Sequence, residues 1–132
     1  MTETPSEPRT GTPAEALTEF LREYVGDHLR SVIRYDEDDS EVLFVRDDVA
    51  DEYTDDDVVQ VVRDVRLEAV EKPHQESLYA HGQLNATVRC FDDAVEMHFA
   101  HDETSGIAVA LDGEVFAIHN TFLGQCMDAM EG

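Results

Sequence analysis

The sequence predicts an α+β domain in which a five-stranded antiparallel sheet is flanked by three helices, in the order αββαβββα. Three observations support this fold class. Apolar residues recur at helical spacing in three segments, and they alternate with polar residues in several short runs. The short runs are joined by tight turns, which favour antiparallel strand pairs with helices packed on the sheet. A chain of 132 residues is also the right length for one such domain.

The first predicted helix follows a polar leader. Residues 1–12 are rich in Pro, Thr, Glu and Gly and have no apolar periodicity, so we predict a disordered leader and a single domain over residues 13–132. Thr12 and Pro13 form an N-cap and first-turn pair. The helix should end near Gly26. Its predicted buried stripe consists of Leu17, Phe20, Leu21 and Tyr24.

The second predicted unit is a β-hairpin. Apolar and polar residues alternate over 29–35, residues 36–40 are turn-like, and 42–45 are apolar enough for a returning strand. A charged connector follows over 47–53, with room for one helical turn.

A second helix is predicted from the cap at Thr54 to about Lys72. Acidic residues at 55–57 suit the positive end of its dipole, and Pro73 should stop it. The segment 73–83 is then expected to be a polar connector. The predicted buried stripe of the helix consists of Val58, Val61, Val62, Val65 and Ala69.

Three further strands are predicted at 84–90, 95–99 and 106–111. The last run is continuously apolar, so it should be central or covered on both faces. The final segment has two interpretations. Asp112 and Gly113 could form a hairpin turn before a sixth strand over 115–118. We favour one helix from about 113 to 129, because Val115, Ile118, Phe122, Cys126 and Met130 fall on one helical face.

Two resemblances accompany this prediction. The order of elements is similar to the roadblock and profilin-like arrangement, which implies the topology alone. The stretches GDHLRSVIRYDEDDSEVLFVRDDVADEY (26–53) and SGIAVALDGEV (105–115) resemble a group of small acidic haloarchaeal proteins of unknown function. That second resemblance implies adaptation to high salt and implies no reaction.

The charge balance points to the same environment. There are 31 acidic residues against 9 basic ones, Lys72 is the only lysine, and the formal net charge is −22. Such a chain repels itself in dilute salt, whereas at about 1 M salt the Debye length falls to about 3 Å. We therefore expect a cytoplasmic protein that needs high K⁺ or Na⁺ to fold. No basic stripe is present for binding nucleic acid, although acidic mimicry of nucleic acid is an alternative, and no segment suits a membrane span.

No motif for catalysis, metal binding or a cofactor is evident. The acidic turn 36–40 lacks the glycine that a calcium loop requires, and His98 and His101 should point to opposite faces of a strand. Cys90 and Cys126 lie on apolar faces, so we predict that both are buried. We expect no metal site, no cofactor and, on balance, no enzyme.

Arginines are the remaining candidate site residues. Arg30, Arg34 and Arg46 lie in the first hairpin, and Arg89 could join them on the sheet. They could pair with acids such as Glu41 or Asp47 across the strands, or they could form a face for an anion or a partner.

The sequence thus favours a non-catalytic protein-interaction or regulatory module that binds a partner or forms a homodimer through a sheet edge or a flanking helix. The alternative is a sensor or enzyme for a small anion or nucleotide that uses the arginine face.

Overall fold

The computed structural model describes residues 11–115 and 121–131, and it contains the predicted five-stranded antiparallel sheet. The strand order is β2-β1-β5-β4-β3, and every neighbouring pair is antiparallel. Strand β5 is the middle strand, and it pairs with β1, which is distant in sequence; these two strands are called the central strands below. The strands are β1 (Leu29–Tyr35), β2 (Ser40–Val45), β3 (Thr87–Cys90), β4 (Ala94–Ala100) and β5 (Gly106–Asp112).

Five helices accompany the sheet within the described residues, and a 3₁₀ turn at Gly26–His28 leads into β1. Two of these helices, α2 and α4, are short. The predicted leader, apart from Gly11 and Thr12, lies outside the described residues. The helices are α1 (Pro13–Tyr24), α2 (Asp47–Glu52), α3 (Asp55–Val70), α4 (Lys72–Leu78) and α5 (Thr121–Glu131).

Helix α1 covers one face of the sheet. It begins with a capping box between Thr12 and Glu15, as the sequence around Pro13 predicts. Leu21 packs with residues of the two central strands, including Val32 and Val109. The predicted stripe is wrong in part, because Phe20 and Tyr24 are 56% and 63% exposed. Ala14 and Thr18 lie on the buried side of this helix instead.

Helix α3 covers the opposite face. Ile33 and Ala108 pack against it, and each is the immediate neighbour of a residue under α1, so the two helices lie on opposite sides of the sheet. The cap at Thr54 and the whole predicted stripe are confirmed, with Val62, Val65 and Ala69 fully buried. Strand β5 is thus central and covered on both faces, as its apolar run predicts.

The predicted connector 73–83 is partly wrong, because α4 occupies Lys72–Leu78. Proline is tolerated in the first helical turn, where its missing N–H has no helical acceptor, so Pro73 starts this helix instead of only ending the previous one. The following strand also begins at Thr87 rather than 84. The backbone N–H of Leu84 donates to the Glu76 carboxylate at 2.9 Å and is not used in the sheet.

The end of the chain is helical where it is described. Residues 113–115 are helical, α5 spans Thr121–Glu131, and residues 116–120, where the alternative strand was placed, lie outside the described residues. The predicted burial is wrong here. Cys126 is exposed on α5, and Cys90 is exposed on β3, because β3 is an edge strand and α5 has no buried residue.

Candidate functional site

Two of the predicted arginines meet at a single carboxylate near the end of β5. Arg46 donates to both oxygens of Asp112, at 2.8 and 3.0 Å, and Arg30 donates to Asp112 at 3.4 Å. His28 adds a contact of 3.2 Å from Nδ1. These donors hold the pKa of Asp112 at about 2, chiefly through the hydrogen bonds from Arg46. Asp112 therefore connects β5 to β1, to the residue after β2 and to the 3₁₀ turn.

The other two predicted arginines lie elsewhere. Arg34 donates to Asp36 at 3.0 Å and to Glu41 at 3.5 Å, so the predicted pairing with Glu41 occurs. Arg89 donates to Asp64 and Glu68 of α3, at 2.7 and 2.8 Å. The four arginines thus form no common face, and each is already bound to carboxylates.

The acidic groups considered for metal binding have other partners. Asp36 accepts the backbone N–H groups of Asp38 and Asp39 at 2.9 and 2.8 Å, which lowers its pKa to about 2 and closes the turn. Ligand atoms of His28, Asp112 and Glu114 lie within 4.8 Å of one another. Both Asp112 oxygens nevertheless accept hydrogen bonds from guanidinium groups, so a metal ion would have to displace arginine.

A cleft with a volume of about 670 Å³ lies on the α3 face, between that helix and strands β4 and β3. The cleft is deep because three of the residues that line it, Thr87, Ala94 and Ala108, have small side chains. Tyr53 and Phe91, both exposed aromatic residues, also line it. Volumes of about 300–1,000 Å³ are typical of small-molecule sites.

A hydrogen-bonded chain of polar side chains runs from beneath the helix into this cleft. His98 is only 6% exposed and lies between Tyr35, whose hydroxyl is 2.6 Å from Nε2, and Glu68, which contacts Nδ1. Burial raises the pKa of Tyr35 to about 12, so its hydroxyl stays protonated. Glu68 also accepts from Arg89, which leaves every member of this chain with a partner.

Glu96, at the bottom of the cleft, differs from these hydrogen-bonded side chains. It lies on β4, directly opposite Arg89 on β3 and Ala110 on β5, so these three side chains share one face of the sheet. Burial raises the pKa of its carboxyl group, while Arg30 and Arg89 act on it only at longer range. Among the described residues, no side chain donates a hydrogen bond to Glu96. Its carboxyl group is thus available to a ligand.

A separate apolar surface is formed by α5. Phe122 and Met130 are 74% and 81% exposed, and Met127 is also exposed. The helix carries only two charged residues, Asp128 and Glu131, in a chain with 31 acidic residues. Exposed apolar residues grouped on one helix are typical of an interaction surface.

Comparison with family models shows the family of the chain. A family model described as a domain of unknown function (DUF7522) matches residues 15–131. The chain belongs to this family. No curated protein and no solved structure matches it significantly. The family match assigns no reaction.

Sequence reasoning missed the cleft and the role of Asp112. Glu96 and His98 alternate with apolar residues on β4, which reads as a solvent-facing polar row. The run of small residues in β5 was the available signal, because alanines at 108 and 110 leave space above the neighbouring strand. Within the described residues, no helix is long and apolar enough to cross a membrane.

Proposed function

We propose that this protein is a non-catalytic interaction module that forms a homodimer through α5. The observation that carries the proposal is the exposure of Phe122, Met127 and Met130 on a helix that has no buried residue. Water contact with these side chains is unfavourable by about 25 cal/mol for each Å² of apolar surface. A partner that covers them recovers this free energy.

A second copy of the chain is a suitable partner for α5. The helix has no basic residue, and both of its acids are near its C-terminal end. In an antiparallel pair related by a two-fold axis, Asp128 and Glu131 of one copy lie beside the N-terminal end of the other helix. Carboxylates are stabilised there by the helix dipole. The acid-rich remainder of each copy stays outside the contact.

The β3 edge of the sheet offers less to a partner. Strand β3 has only four residues, and its Arg89 is already held by two acids of α3. Edge pairing also requires a run of free backbone groups, and short edges limit it. Dimerisation through α5 therefore has more support than pairing through the β3 edge.

The test is the molar mass of the protein in molar KCl, measured by light scattering over a range of concentrations. We expect a dimer for the parent protein and a monomer for Met130→Glu or Phe122→Glu, because each change places a charge in the contact. Leu67→Glu is the matched control, since Leu67 is an exposed apolar residue of α3. The control should stay dimeric.

A monomeric parent at all concentrations would refute the dimer and direct attention to a different protein partner. A dimer that survives both α5 changes would mean that another surface forms the contact. Circular dichroism of each variant separates loss of pairing from loss of folding.

The anion-sensor alternative is weaker. It needs Arg30, Arg34, Arg46 and Arg89 to present a common positive face, and each of them instead donates to carboxylates. An anion would have to compete with those acids.

A further inference from the structure

We propose that the cleft between α3 and the outer strands β4 and β3 binds a small organic cation with an apolar body, and that Glu96 is its counter-ion. This site is distinct from α5, so it goes beyond the dimer proposed above. The inference is based on three independent observations: the cavity, the charge balance around it and the aromatic residues at its edge.

The cavity has the dimensions of a ligand site. Its volume is about 670 Å³, which is within the range of small-molecule pockets. It exists because Thr87, Ala94 and Ala108 are too small to fill the space beside α3. An apolar ligand body would replace water over these side chains and over the neighbouring Val61.

The charge balance favours a positive ligand. Five acids and two arginines line the cleft. Arg89 already binds Asp64 and Glu68, and Arg30 binds acids outside the cleft, Glu52 and Asp112. The arginines therefore have little capacity left for an anion. The acids are Asp64, Glu68, Asp92, Asp93 and Glu96.

Glu96 is the specific anchor. It is partly buried on the cleft floor, and no described side chain donates a hydrogen bond to it. Partial desolvation disfavours the charged form of this carboxylate, whereas an ammonium group supplies both an opposite charge and hydrogen-bond donors. Salt screens such a partly buried pair much less than a pair on the surface.

The aromatic residues fit the same ligand. Tyr53 follows α2 and Phe91 lies in the turn between β3 and β4, and both line the cleft. Aromatic faces attract cations within about 6 Å and also cover apolar groups. A ligand that combines an amine with an aromatic or aliphatic body would satisfy Glu96 and both aromatic side chains.

Three probes of the same shape test this directly. Phenethylamine is a cation at neutral pH, 2-phenylethanol is neutral and phenylacetate is an anion. Their affinities are measured by calorimetric titration of the full chain in molar KCl. We expect the amine to bind at least about tenfold more tightly than the alcohol, and the anion to bind most weakly.

Two substitutions then locate the site. Glu96→Gln should weaken binding of the amine about tenfold and leave binding of the alcohol unchanged, because it removes the charge and keeps the shape. Glu103→Gln is the matched control, since it makes the same change in an exposed turn. Phe91→Ala should weaken binding of both probes without any change in charge.

Each contrary result overturns the proposal. Equal affinity for all three probes would mean that the cleft has no preference for cations. Tightest binding of phenylacetate would instead support an anion site at Arg30 and Arg89. Absence of amine binding, or amine binding that Glu96→Gln leaves unchanged, would mean that the Glu96 cleft does not recognise this ligand class. The comparison of probes on the parent protein decides the question even if a variant fails to fold.

Discussion

The centre of the sheet and its β3 side are built differently. In β1 and β5 most residues are buried, because α1 covers one face of these strands and α3 covers the other. Strand β3 has no buried residue, and beside it lies the cleft with Glu96 on its floor. The buried apolar residues of this acidic chain are thus concentrated where two helices meet the sheet.

We expect the centre of the sheet to contribute most of the stability and the β3 side to contribute the capacity to bind a ligand. The central strands provide continuous apolar packing, which is the main favourable contribution to folding. On the β3 side, charged groups bridge the sheet to α3, and small residues leave an unfilled volume. A change in the centre should therefore alter the free energy of unfolding, and a change on the β3 side should alter ligand binding more.

Removal of salt should have the largest effect on both regions and tests whether the centre of the sheet is more stable than the β3 side. With a net charge of −22, the chain should lose cooperative folding in low-millimolar salt and keep it in molar KCl, because only salt screens the repulsion. Circular dichroism during a salt titration measures this. During partial loss, backbone amides of β3 should exchange with solvent before those of β1 and β5.

Full native circular dichroism and cooperative melting in low-millimolar salt would contradict the high-salt assignment. Exchange of the backbone amides of all strands at the same salt concentration would contradict the distinction between the centre and the β3 side.

Truncation of a central side chain should have the next largest effect. Leu29 is 0% exposed on β1, so Leu29→Ala should lower the free energy of unfolding by about 2–5 kcal/mol through lost burial and a cavity. Val88→Ala is the matched change on β3, where the side chain is 42% exposed, and it should cost about 1 kcal/mol or less. Denaturant unfolding in molar KCl gives both values. Similar losses would mean that β3 contributes as much packing as the centre.

The Asp112 contacts should have the smallest effect on the free energy of unfolding, and this effect should depend on pH. Because the folded pKa of Asp112 is lowered from 3.8 to about 2, its contribution to stability is present above pH 3.8 and is lost as pH falls through about 2. After allowance for solvent screening, we expect this contribution to be about 1–2 kcal/mol.

Asp112→Asn should therefore lower the free energy of unfolding at about pH 6. The free energy of unfolding of this variant should also decrease less than that of the parent protein as the pH is lowered to about 2. Asp38→Asn, a change in an exposed turn, serves as the control and should leave the pH profile unchanged. An identical pH profile for the parent protein and Asp112→Asn would show that the cluster does not stabilise the fold.

Much of the fold could be predicted because its signals are local. The caps at Thr12 and Thr54 and the stripe from Val58 to Ala69 depend on residues within a few turns of each other. The turn after β1 is fixed by Asp36 and its own neighbours. Prediction failed where local signals were balanced, as at Pro73, which can end one helix or begin the next.

The candidate sites could be predicted less well, because they depend on distant partners. Arg30 and Asp112 are 82 residues apart in sequence, and they meet only because β1 and β5 pair in the sheet. The four arginines looked alike in sequence, but the tertiary structure brings only Arg30 and Arg46 together, at Asp112, and pairs Arg34 and Arg89 with other acids.

The sequence by itself determined the element types, the antiparallel sheet and the acidic surface, since periodicity and charge are properties of the chain alone. Only the tertiary structure decided that His98 is buried, that Glu96 lies beside an open cleft and accepts no hydrogen bond from a described side chain, and that Cys90 and Cys126 are exposed. Burial depends on which helix covers which strand. That choice depends on packing between segments far apart in the sequence, and no local pattern records it.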